Sequence, residues 1–270
     1  MAKVVDKKNQ VTVAVICHEV TEQFEALIQQ IAVTEWISEA VFFDTSEKRE
    51  CADFISQTFV AATKSESKRL PTISIHTQHI PIWNCDFAHI RNQMLLMIST
   101  EWFMFLDSDE LLSEEALLEI PKSISKASKS VSAISLPRVD FFLGKKLSHG
   151  ETGNTYITRI GKTNQIAYQR NVHEIPVVDG ETITIHTPIL HYAHTSVSEF
   201  ITSVLTYSYL ESQNRTWRKS TVLEMLFFPI GKFIYTYFIK AGFLDGYRGL
   251  VYSFCMSLHS FFVRIYVWTK

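Results

Sequence analysis

Residues 101–120 read EWFMFLDSDELLSEEALLEI. An apolar run ends in Asp107-Ser108-Asp109-Glu110, and a helix-like pattern follows. Carboxylates repel one another and resist burial, so three at one point need a cation, a proton or a solvent-exposed bend. WFMFLDSDE reads as a strand. Ser113 is suited to cap the helix SEEALLEIPKSIS, whose first turn carries acids. Glu110 reads as the first acid of that helix.

The same alternation surrounds this stretch. VTVAVIC (11–17) is a β-branched run typical of a buried strand, and TEQFEALIQQIA places Phe24, Leu27, Ile28 and Ile31 at helical spacing. EAVFFDTS, EKRECADFISQTF, TISIHT and DFAHIRNQMLLMIS continue it as strand, helix, strand and helix. Strand and helix alternate to about residue 126, which predicts an α/β fold with a mostly parallel central sheet covered by helices. No GxGxxG follows the first strand, so a dinucleotide site of that kind is not expected. After residue 130, VSAISLPRVDFFLG, TYITRIGK, QIAYQ and TITIHTPILHYAH read as strands, and from Ser196 the chain reads helical. The expected division is a catalytic domain over 1–195 and a helical extension over 196–270.

The chain has 270 residues, a net charge of −2, 46% hydrophobic and 20% charged residues. That is the balance of a globular protein, and it predicts no nucleic-acid partner. Cys17, Cys51, Cys85 and Cys255 form no CxxC pair, and MAKVVDKKNQ lacks the apolar core of a secretory signal; a cytoplasmic location is expected. Fourteen of the last fifty residues are aromatic, in two apolar series punctuated by Lys232, Lys240, Arg248, Arg264 and Lys270. Aromatics with interspersed cations suit a membrane interface, while packing on the catalytic domain or a second subunit is the alternative. Pro229, Gly231 and Lys232 in one series and Arg264 in the other speak against a plain span.

Residues i and i+2 of an extended segment face one side, so Asp107 and Asp109 can share a hard cation. Mg²⁺ or Mn²⁺ held there would take substrate phosphate oxygens as further ligands. The plainer reading is acids at a helix N-terminus. Asp44 can hydrogen-bond a ligand or form a turn. Arg91 can meet phosphate or pair with Asp86 within its helix. His191 and His194 in HYAH lack the further ligands a zinc site needs.

Asp86, Phe87, Arg91 and Asn92 ahead of Trp102, Leu106, Asp107, Asp109 and Glu110 form an ordered set. It continues with Val172-His173-Glu174, with His191 in PILHY, and with GFLDGYRGL. Together these resemble family-2 glycosyltransferases of the GT-A (Rossmann-like) fold, in the subgroup similar to lipopolysaccharide-core glucosyltransferases. The resemblance implies an inverting, metal-dependent transfer of a sugar from a nucleotide-diphosphate donor, UDP-linked by expectation. The acceptor would be a saccharide or lipid-linked glycan of the cell envelope. It implies Asp109 and Asp107 as metal ligands, Asp44, Arg91, Asp107 and His191 around the donor, and Glu174 with His173 as the base that activates the acceptor hydroxyl. A site at the inner face of the plasma membrane and an oligomer are compatible with it. Two segments depart from the family: Cys17-His18-Glu19 after the first strand and Asp44-Thr45-Ser46-Glu47 after the second. A non-catalytic binding subunit therefore stays open, as does a metal-dependent phosphohydrolase.

Overall fold

The computed structural model describes residues 10–65, 70–152, 155–170, 174–213 and 221–270. The chain forms two compact units: Met1–Pro137 with Tyr156–Leu190, and Arg138–Thr155 with His191–Lys270.

The first unit is α/β. Strands β1 (Val11–Cys17), β2 (Ile37–Asp44), β3 (Thr72–Thr77) and β4 (Trp102–Asp107) pair in parallel in the order β3-β2-β1-β4. β1 is central because it is apolar on both faces. Val11, Val13 and Val15 join the cluster formed with helix α1 (Glu22–Val33), helix α2 (Glu50–Ser65) and helix α4 (Glu114–Lys126). Ala14 faces the other side, where Ile90, Met94 and Leu95 of α3 (Phe87–Leu95) pack with Phe103 and Phe105. The period of two along the strand thus feeds two helical layers. Phe24, Leu27, Ile28 and Ile31 are the buried residues of α1, as their spacing predicts. Thr21 and Ser113 cap α1 and α4 by accepting from Phe24 N and Ala116 N, both at 3.1 Å.

Strand register brings the acidic ends together. Cys17 stands opposite Asp44, and Ile16 opposite Asp107, so both carboxylates lie at the carboxyl end of the sheet. The strand of the opening stretch ends at Asp107. Glu110 opens a separate short strand, β5 (Glu110–Leu112), and the helix starts only at Glu114. Reading Glu110 as the first helical acid is therefore corrected: it is fully buried in the sheet.

Beyond β4 the sheet continues as β8-β6-β12-β5, built from β6 (Val131–Phe142), β8 (Thr155–Lys162) and β12 (Ile189–His194), with β8 antiparallel to β4. β6 and β12 carry the chain from the first unit into the second. β7 (Lys145–Lys146) and β11 (Glu181–Thr184) pair with β6, and β9 (Ile166–Gln169) pairs with β10 (Ile175–Val178). The expected single strand 182–194 is thus two, β11 and β12.

In the second unit, helices α5 (Val197–Gln213) and α7 (Gly246–Thr269) bring Phe200, Val204 and Cys255 together with Phe142 and Leu147, and α6 (Val222–Ile234) packs against α7. α6 runs on through Pro229 and Gly231 into a wide π-type turn, Tyr235–Ile239. Residues 222–239 and 242–269 are both long and apolar enough to cross a membrane by length and composition.

Phe42 sits fully buried in the middle of β2. Phe42→Ala should destabilise the first unit by about 3–5 kcal/mol. A lowered urea midpoint with an unchanged slope would show this; an unchanged midpoint would contradict the packing described.

Candidate active site

The cations that answer the acidic cluster come from the protein. Arg91 on α3 donates from Nη2 to Asp107 Oδ1 and from Nε to Glu174 Oε1, both at 2.8 Å. Arg159 on β8 pairs with the other oxygen, Asp107 Oδ2, and donates to Glu110 Oε1 at 2.6 Å. Glu110 Oε2 accepts from Asp107 N at 3.0 Å and so fixes the turn between β4 and β5. Three carboxylates and two guanidiniums form one connected chain of charge-assisted bonds.

The surroundings hold this chain rigid. The Arg91 guanidinium lies 4.8 Å from the Phe105 ring centre and 5.6 Å from that of Tyr168. Asn92 clamps the Tyr168 backbone with two 2.9 Å bonds, one to its carbonyl and one from its N–H. Burial disfavours charge on both arginines and Arg159 repels Arg91, but Asp107 and Glu174 together at Arg91, and Asp107 and Glu110 together at Arg159, more than offset this, and both stay protonated more firmly than usual. Burial pushes the Tyr168 hydroxyl up to about 12, against the pull of Arg91 and Arg159. Burial, then Asp86 and Glu174, push the Cys85 thiol up to about 11.

The expected site residues fall into three groups. Asp107, Glu174 and Arg91 meet directly, and Asp109 lies beside them on the β4–β5 turn, partly exposed. Asp44 is 1% exposed and accepts from Ser46 N and Ala52 N, one on each oxygen, at 2.8 Å. His191 belongs to the second unit, where it pairs with Asp140 beside Arg138 in a cavity of about 70 Å³. His173 lies outside the described residues. Asp86 is not Arg91's partner: it caps α3 by accepting from His89 N at 2.9 Å.

Arg159 escaped the reading of the sequence, and Glu110, expected as a helical acid, is its counterion. A charged residue in the apolar-alternating TYITRIGK was the available signal. Only the register, with Ile160 opposite Met104, shows that the next residue, Arg159, runs toward the end of β4 where Asp107 lies.

The oxygen donors suit a hard divalent ion, but unequally. Asp107 has a guanidinium on each oxygen, and Glu110 is sealed beneath Arg159, so a second cation at either meets like charge. Asp109, the third carboxylate of the triplet, lies half-buried on the β4–β5 turn. Among the described residues, the set of three side chains whose ligand atoms lie within 4.8 Å of one another is instead the buried Cys17, Asp44 and Cys51.

No family model matches the chain. Among solved structures it is similar to S. aureus TarS, at 13% identity and a TM-score of 0.44, over 77% of this chain and 40% of that one. A second TarS structure, residues 1–349, gives 9% identity and a TM-score of 0.46 over 93% and 91%. A 4-diphosphocytidyl-2C-methyl-D-erythritol synthase from Anaerococcus prevotii gives 10% and 0.41 over 67% and 90%. The chain thus spans well under half of the first of these proteins.

Two measurements probe the ion chain. Arg159→Met strands Glu110 as a buried charge and should cost about 3–5 kcal/mol of stability, while adding Glu110→Leu should recover most of it, since an apolar pair replaces an ionic one nearly neutrally. Denaturant melts of the single and double variants decide this; equal losses would contradict it. For Tyr168 the folded value near 12 lies above the usual 10. Its neutral form stabilises fully below pH 10, and that contribution is lost as pH rises from 10 to 12. Wild type should therefore lose stability across that window more steeply than Tyr168→Phe, as thermal melts at stepped pH will show.

Proposed function

We propose that the first unit transfers a sugar from a nucleotide-diphosphate donor, UDP-linked by preference, to a saccharide or lipid-linked glycan of the cell envelope. One observation carries this reading. Arg91 and Arg159 place two buried guanidiniums at the carboxyl end of a parallel sheet, the usual place for a ligand in open α/β sheets. The GT-A fold is the proposed frame, and the resemblance of the ordered motifs around Asp107 and Glu174 supports it.

In this reading the acceptor hydroxyl attacks the anomeric carbon, the bond to the diphosphate breaks, and configuration inverts. Glu174 takes the hydroxyl proton. Arg91 Nε holds its Oε1, which orients the carboxylate and leaves Oε2 as the assigned base atom; the side chain is 17% exposed. The guanidiniums, each already shared between two carboxylates, hold Glu174 and Asp107 in place beside the leaving diphosphate. Asp109 would hold Mg²⁺ or Mn²⁺, which when bound adds Lewis-acid stabilisation of the leaving group. Asp107 serves as the anchor of both arginines.

A second reading, a nucleotide-sugar-binding subunit without turnover, draws on one further feature. The two segments that depart from the family are tied to each other: Thr45 donates to Cys17 O at 3.0 Å, and His18 Nδ1 lies 3.1 Å from Thr45 Oγ1.

Thermal shift with a panel of nucleotide sugars, with and without Mn²⁺, paired with transfer assays, separates the two. The transferase reading expects a UDP-sugar to raise the melting temperature, more so with Mn²⁺. Asp109→Ala should remove the Mn²⁺ increment. Glu174→Gln should keep the shift and lose transfer by about 10²–10⁴-fold. Binding with no transfer in wild type supports the second reading, and no shift with any nucleotide sugar overturns both.

A further inference from the structure

The surface of the α6–α7 hairpin is inverted. Between Val222 and Trp268 every exposed residue is apolar, aromatic or glycine except Lys240. Leu226, Ile230, Ile234 and Phe238 follow one another at helical spacing and are all about half exposed. On α7, Tyr247, Leu250 and Phe254 continue the face. The turn between the helices, where polar residues are usual, exposes Ile239, Phe243 and Leu244 instead.

The charges of this hairpin are turned inward or engaged locally. Asp245 accepts from the backbone N–H groups of Ser148 and His149. Arg248 donates to Leu143 O at 3.1 Å, and Lys232 pairs with Glu151. Arg264 lies 4.0 Å from the Phe228 ring centre and donates to Ser260 O at 2.6 Å. A surface this apolar, with its ions withdrawn, is far larger than the isolated apolar residues that water-facing helices carry.

We infer that the α6–α7 hairpin lies in the plane of a lipid bilayer, embedded in one leaflet by this outward face. A crossing orientation conflicts with the inward face of α7. Cys255, Val263 and Val267 are buried there, Cys255 in the cluster with Phe142, Phe200 and Val204. Ser253 is buried on the same helix, and Thr236 in the turn before it. A helix with one face committed to protein and the other bare is seated on a membrane rather than through it. A protein partner fits less well. Protein interfaces carry polar rims and about one hydrogen bond per 100–200 Å², whereas this face offers Lys240 and a few aromatic hydroxyl and indole groups. Those groups suit the headgroup layer: Tyr235, Tyr247 and Trp268 are half exposed, and Lys240 lies 5.7 Å from the Tyr235 ring centre, able to reach toward phosphate. The inference stands apart from the transferase reading.

Flotation of the full chain with phosphatidylcholine vesicles tests it. Wild type should float. Leu226→Glu combined with Phe254→Glu should lower the bound fraction at least tenfold while circular dichroism and the melting temperature stay unchanged, because both side chains are exposed. Depth is read separately from a fluorophore on Leu244→Cys, specific because the four native cysteines are buried. Lipids brominated near the headgroup should quench it more than lipids brominated near the chain ends. Wild type left in the aqueous fraction, a double variant that floats as well as wild type, or strongest quenching at the bilayer centre each overturns the inference. A lipid-free dimer that Phe254→Glu splits, with no flotation, would assign the face to a second copy instead.

Discussion

Asp107 sits between Arg91 and Arg159, and the architecture of the first unit depends on that sandwich. One guanidinium takes each carboxylate oxygen, and the arginines reach onward to Glu174 and Glu110. Removing either arginine would leave a carboxylate, Glu174 or Glu110, without its counterion, which is why α3, β4, β5 and β8 are bound to one arrangement at this point. The chain of ions also joins residues far apart in sequence into one rigid floor, with Asp109 at its margin and Glu174 at its other end.

That floor has its position because β1 is apolar on both faces. The strand is covered by α1, α2 and α4 on one side and by α3 on the other, so its neighbours β2 and β4 pair with it in parallel and end together. Parallel pairing puts Asp44 and Asp107 at a common edge. Their fates then differ for local reasons. Asp44 turns onto the backbone amides of Ser46 and Ala52 and is closed off, whereas Asp107 stays 36% exposed beside the arginines. The second unit follows a different logic. Helices α5 and α7 bury one face around Phe142 and Phe200, α6 packs on α7, and the α6–α7 pair leaves its other face bare, with Asp245 and Arg248 folded toward the 143–149 segment.

Much of this was legible in the chain. The two-residue period of VTVAVIC and the spacing of Phe24, Leu27, Ile28 and Ile31 specify strand and helix locally, because side-chain direction alternates every residue in one and recurs every three to four in the other. The cap at Ser113, the acidic run at the end of β4 and the aromatic excess of the tail were equally plain, since each is a property of neighbouring residues. From these follow the α/β class, the candidate acidic site and the helical C-terminal region.

What the sequence could not decide is which cation meets those acids. Arg159 lies about fifty residues beyond Asp107 in the chain, and only the antiparallel register of β8 against β4 brings its guanidinium to that carboxylate. Arg91 had a local partner in Asp86, but the N-cap of α3 took Asp86 and tertiary packing aimed the arginine across the sheet. Glu110 changed from a helical acid to a sealed counterion for the same reason. Short-range pattern sets the secondary structure; the pairing of charges is a long-range matter, because desolvation makes each buried ion depend on whichever opposite charge the completed fold delivers within a few ångströms.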